Sequence, residues 1–105
     1  MIKNNKVINR IKVNEDRYDK IVSCTNELSV ILSKFKTCKK ELHLLNNYYG
    51  SVSWFKDKDS FEKNLIPKIK AGVLTEDAIW DLNDDIKEVI SLMKSIIDEY
   101  NEKGD

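Results

Sequence analysis

Between Ile21 and Tyr49, apolar residues fall at Ile21, Cys24, Leu28, Ile31, Phe35, Cys38, Leu42, Leu45 and Tyr49, in unbroken steps of three and four. A second run, Ile79, Leu82, Ile86, Val89, Met93, Ile96 and Tyr100, keeps the same rhythm. Each run puts an apolar stripe along one side of a helix, and such a stripe has to be covered. The pattern predicts an all-α fold, an antiparallel helical hairpin in which the stripes of a long first helix and a long last helix cover each other. A short connector helix and an aromatic corner complete it.

The boundaries follow from residues with known positional preferences. The chain reads as one helical domain over 1–105, with a long helix over 21–49, a connector over 51–74 and a last helix over 75–101. Gly50 suits the position just past a helix end, because glycine accepts the left-handed backbone found there. The connector carries Trp54, Phe55, Phe61, Leu65, Ile66, Ile69 and Val73, too apolar a set for a floppy linker. Within it, Asp59 or Ser60 could cap a short helix through Ile66, which Pro67 would end, and Ala71-Gly72 marks a turn. Thr75 is a good N-cap, Glu76 and Asp77 suit the positive end of the helix dipole, and Leu74 and Ile79 are spaced for a hydrophobic staple.

If Tyr49 lies near the start of the last helix, antiparallel pairing sets Lys40 beside Asp85 and Thr25 beside Tyr100, and residues before Ile21 overhang. Val7, Ile8, Ile11, Val13 and Tyr18 are nonetheless apolar or aromatic, while Asn14 and Arg17 occupy stripe positions. The degraded rhythm favours a break, with residues 1–20 as a separate N-terminal helix. A homodimer through this overhang is the alternative.

The length of 105 residues fits a single domain. No apolar run approaches a membrane span, and the N-terminal stretch has no apolar block of a signal peptide, so the expected location is cytoplasmic with no membrane partner. Cys24 and Cys38 lie fourteen positions apart on one helix, roughly 21 Å, far beyond disulfide reach. They read as reduced thiols buried as small hydrophobes.

Around the connector the sequence becomes recognisable. Tyr48-Tyr49-Gly50-Ser51, then Trp54 and Asp57, then Pro67, then Gly72-Val73-Leu74-Thr75-Glu76-Asp77-Ala78-Ile79-Trp80-Asp81-Leu82 resemble a small bacterial family, domain of unknown function 4298. The resemblance covers roughly Arg10 to Met93. It implies a long helix, a corner built on the Tyr-Tyr-Gly-Ser and Trp residues, a proline, and a short lead-in to a last helix. This chain departs from the pattern at Thr75, where serine is usual, and at Trp80, where tyrosine is expected. The family implies no activity.

Net charge is zero, but residues 1–50 carry ten Lys/Arg against five Asp/Glu, and residues 51–105 carry eight against thirteen. The plainer reading is intramolecular, a basic helix lying beside an acidic one with Lys39 and Lys40 near Asp84 and Asp85. The sharper reading concerns Asp77, Asp81, Asp84, Asp85 and Glu88, which fall in an arc of about 100° on the last helix, away from the apolar stripe. Acids three and four apart repel one another, so helix stability does not ask for this face. A basic surface on another macromolecule would relieve it, and such a stripe can imitate a nucleic-acid backbone. Trp80 sits beside the stripe; the favoured reading makes it a floor for Trp54 or Phe55 beneath the apolar connector, and the sharper one a candidate interface anchor.

Other chemistry is thin. The cluster Lys34, Lys36, Lys39 and Lys40 has no interleaved aromatic platform for nucleic acid. Lys56-Asp57-Lys58-Asp59-Ser60 lacks the central glycine and closing glutamate of a calcium loop. His43 has no companion ligand or nucleophile. The expectation is therefore a non-enzymatic interaction module with no cofactor or metal. Its acidic face, formed by Asp77, Trp80, Asp81, Asp84, Asp85 and Glu88, docks on a larger protein such as a nucleic-acid-binding enzyme with a basic surface. A small inhibitor or immunity protein of a phage or mobile element fits this description. The alternatives are a structural homodimer or assembly subunit and, behind it, a nucleic-acid-binding protein.

Overall fold

In the computed structural model, which describes residues 4–103, the chain is all-α. A long first helix, α1 (Asn5–Tyr48), is followed by a short α2 (Val52–Glu62), a single 3-10 turn (Gly72–Leu74) and a long last helix, α3 (Glu76–Lys103). The chain divides into two units, one ending at Glu41 and the other beginning at Leu42.

From Asn5 to Glu41 the first unit is helix alone. The break expected near residue 20 is absent, and α1 runs unbroken for 44 residues. Asn4 accepts from the Val7 amide at 3.1 Å, which ties the start of the helix. Asn14 and Arg17 do not interrupt it. The Asn14 amide donates to the Arg10 carbonyl at 2.8 Å, and the Arg17 guanidinium donates to the Asn14 side chain at 3.2 Å. Polar residues on a stripe remove apolar cover without removing helix hydrogen bonds, so a lapse in periodicity is no helix stop. The stripe itself is exposed, with Ile21 at 65 %, Leu28 at 54 % and Ile31 at 57 %. Cys24 and Cys38, expected to be buried, are free and exposed for the same reason.

The second unit is a corner built on tight helix ends. Gly50 has φ of 76°, the left-handed conformation that stops α1. Ser51 follows at once as the N-cap of α2, its hydroxyl accepting from the Trp54 amide at 3.2 Å. The connector helix therefore starts about eight residues earlier than Asp59 or Ser60 would have placed it. It also ends before Pro67 is reached. Asn64 is left-handed at φ 58°, while the Leu65 amide donates to Ser60 and the Asn64 amide to Phe61. This is a Schellman closure with asparagine in the glycine role.

Trp54, Leu74 and Ile79 form the buried core of the corner. Trp54 packs edge-on against Tyr49 and Phe55, with ring centroids 5.2 and 4.9 Å apart. Its indole N–H donates to the Val73 carbonyl at 2.9 Å, which ties α2 to the 3-10 turn. Leu74 and Ile79 are both buried, as the proposed staple requires. The Thr75 hydroxyl donates back to the Gly72 carbonyl at 2.7 Å and closes the 3-10 turn into α3. The Tyr49 hydroxyl donates to the Glu76 carbonyl at 2.7 Å, and Asn46 and Asn83 exchange amide hydrogen bonds at 3.2 and 2.9 Å. The end of α1 and the start of α3 thus run antiparallel across the corner, with Tyr49 beside the beginning of the last helix as its position in the sequence suggested.

Candidate partner-binding face

The acidic face begins where the corner releases α3. Glu76 is the first acid of the helix and belongs to the corner, 3.6 Å from the Lys58 ammonium, which also lies 5.2 Å from the centre of the Trp54 ring. The next five acids, from Asp77 to Glu88, have no such company among the described residues. Asp77, Asp81, Asp84, Asp85 and Glu88 are all exposed, and none is in an ion pair with another described residue. Buried Ile79 and half-buried Asn83 and Ile86 fix the opposite side of α3, so the carboxylates face outward. Asn83 is further held by donating to the Ile79 carbonyl at 2.8 Å.

Trp80 is 65 % exposed. It is not the floor for Trp54 or Phe55 that an apolar connector seemed to need. Trp54 finds its neighbours in Tyr49, Phe55, Lys58 and the 3-10 turn, all from its own side of the corner. The six residues Asp77, Trp80, Asp81, Asp84, Asp85 and Glu88 are therefore brought together on one surface. Leu92, one turn past Glu88, is 62 % exposed and falls within the same arc. Its position on the wheel was the signal for it, hidden because a leucine among acids reads as part of an apolar stripe.

The remaining polar constellations are structural. The Tyr48 hydroxyl donates to Asp57 at 2.6 Å, and this bond to a carboxylate, more than burial or charge alone, holds the phenol above its ordinary value of 10.0. A shallow groove of about 270 Å³ lies beside this pair, lined mainly by Ile66, Ile69, Val73 and Leu74. The Asn47 amide nitrogen sits 3.2 Å from Nε2 of exposed His43. Among the described residues no three His, Cys, Asp or Glu converge as a metal site, and no helix is long and apolar enough to cross a membrane.

The residues that carried the family resemblance now have physical roles. Tyr48 binds Asp57, Tyr49 binds the start of α3, Gly50 turns the chain, Ser51 caps α2, and Trp54 fills the corner. No curated protein and no solved structure matches the sequence. A family model does, over residues 11–96, and the chain is a member of the family described as domain of unknown function (DUF4298).

Proposed function

We propose that this protein is a non-enzymatic interaction module that docks the outer face of α3 on a basic surface of a larger protein and modulates or blocks it. The observation that carries this reading is the arrangement on α3. Five exposed carboxylates without ionic partners among the described residues share one arc with a tryptophan that leaves most of its surface in water. An unpartnered acidic stripe gains from a cationic surface, and a central aromatic desolvated on contact supplies the affinity that rim charges do not. The partner that fits is a protein with a basic groove, such as a nucleic-acid-binding enzyme. In this reading the protein acts in the cytoplasm as a small inhibitor, of the kind a phage or mobile element carries.

The test is affinity capture of the partner from the native host, followed by titration of the purified pair. Asp81→Lys with Asp85→Lys, and separately Trp80→Ala, should each weaken binding tenfold or more, with the acidic variant losing most of its salt dependence. Binding unchanged by both would make the face ordinary solvated surface.

A further inference from the structure

The seam of α1 is the other surface without cover, and it carries its own pairing instructions. From Ile21 to Cys38 the apolar residues repeat every seven positions, Ile21, Leu28 and Phe35 alternating with Cys24, Ile31 and Cys38. A strict seven-residue repeat drifts about 20° per heptad around a straight helix, so it stays facing a neighbour only by supercoiling with it. All six of these residues are exposed in the first unit. The positions beside such a seam choose the partner and its direction. On one flank they read Lys20, Glu27, Lys34, Glu41, an alternation of sign.

That alternation discriminates among ways of pairing the segment with itself. A parallel, in-register pair sets Lys34 against Lys39 of the second copy, twice, and offers Glu27 only Leu32. An antiparallel pair that packs Leu28 on Ile31 of the second copy also packs Ile21 on Cys38 and Cys24 on Phe35. On its flank, Glu27 then meets Lys34 and Lys20 meets Glu41, each pair occurring twice by symmetry. Sliding this antiparallel pair by one heptad in either direction turns every such contact into like against like, Lys34 on Lys34 with Glu27 on Glu41, or Glu27 on Glu27 with Lys20 on Lys34. The favoured register also explains where the seam stops, because the next layers outward would set Arg17 and Asn14 into the core.

We propose that residues 20–41 of α1 are a self-association surface that pairs antiparallel with the same segment of a second copy, centred on Leu28 and Ile31, with Glu27–Lys34 and Lys20–Glu41 pairs fixing direction and register. The occupant of the seam is thus a second copy of this chain. This surface lies on a different helix from the acidic face, and neither proposal depends on the other.

Sedimentation equilibrium and light scattering of the full chain at micromolar concentration test it. The wild type should have twice the mass of the 12.3 kDa chain. Glu27→Lys alone and Lys34→Glu alone each convert two attractive contacts into two repulsive ones, and each should raise the dissociation constant about tenfold. The double variant Glu27→Lys/Lys34→Glu gives opposite charges at all four flank contacts only in this antiparallel register, and seven positions separate the two residues within one helix, so the restoration acts between copies. It should therefore recover the wild-type constant. Circular dichroism of each variant, taken at a concentration where it is still dimeric, should be unchanged, because both positions are exposed. A wild type that stays monomeric overturns the proposal, leaving the seam to this chain's own α3 or to a foreign helix. A dimer insensitive to the single reversals, or one that the double variant fails to restore, overturns it as well. Loss of dimerisation with partner binding intact would touch this inference and not the acidic face.

Discussion

Within residues 42–103 the corner gives its buried tryptophan, its two tyrosine hydroxyls and its turn residues specific partners, whereas residues 5–41 present apolar side chains that the described residues leave in water. Both stretches are helical, and both carry apolar residues at regular spacing. They differ in what completes them. The corner is closed by hydrogen bonds that join the end of α1, α2 and the start of α3, from Trp54–Val73 to Asn46–Asn83, all within residues 42–103, so it is completed from this chain alone. The seam of α1 makes no claim on local contacts. A lone helix gains little stability without a packed face, so a long amphipathic helix left uncovered is a surface waiting for one. The family signature falls almost entirely in the first kind of region. It specifies how the chain turns, and function has to be sought on the surfaces that the turn presents.

The sharpest way to break this contrast is to empty the corner. Trp54→Ala removes the largest buried side chain, two aromatic contacts and the indole bond to Val73, and should cost about 3–5 kcal/mol. A chemical-denaturation midpoint reads this directly. Trp54→Phe keeps part of the ring packing and strands the Val73 carbonyl, so it should fall between the variant and the wild type. If Trp54→Ala melts as the wild type does, the corner is not what holds the second unit together.

A smaller effect separates backbone from packing. A Cβ on Gly50 or on Gly72 would meet nothing within 4 Å, but only Gly50 is left-handed, at φ 76°. Gly50→Ala should therefore cost about 1 kcal/mol, and Gly72→Ala close to nothing, in the same denaturation experiment. Equal costs would mean that the turn is not fixed by conformation.

Much of this was legible beforehand, for reasons that particular residues make plain. The three-four rhythm needs only helix geometry, and it marked both long helices. Gly50 and the Thr75-Glu76-Asp77 lead-in are local signals and fell where the helices end and begin. Three features escaped because a neighbour decided them. Asn14 and Arg17 resembled an interruption, yet they satisfy each other and the helix continues. Ser51 was hidden as a cap because it follows directly on Gly50, so one helix ends and the next starts without a loop. Trp80 looked like a core residue because the connector is apolar, but Trp54 had already taken the available neighbours.

Tyr48 gives the contrast a pH signature. Its hydrogen bond to Asp57 favours the neutral phenol, so the folded-state pKa lies above the unfolded value of 10.0. Stability from this bond is fully present below pH 10 and is lost as pH rises through the raised folded-state value. Tyr48→Phe should cost about 0.5–1 kcal/mol at neutral pH. It should also flatten the fall in stability as pH rises above 10, relative to the wild type. The difference between the two chains is the informative quantity. Parallel pH curves would show that the phenol does not hold this carboxylate in solution.

The smallest effect on stability is expected at the residue of greatest functional interest. Trp80 is 65 % exposed and makes no ring contact of the kind that surrounds Trp54. Trp80→Ala should therefore move the denaturation midpoint by no more than about 0.5 kcal/mol. Most of its surface is already in water, and α3 gains a better helix former. A tryptophan whose removal the fold does not register, set among unpaired acids, is free to serve the docking proposed above. The same variant should abolish most partner affinity, and that opposition between a silent melt and a lost complex is the behaviour a docking residue has and a packing residue lacks. A large loss of stability instead would return Trp80 to the core of the second unit and leave the acidic face without an anchor.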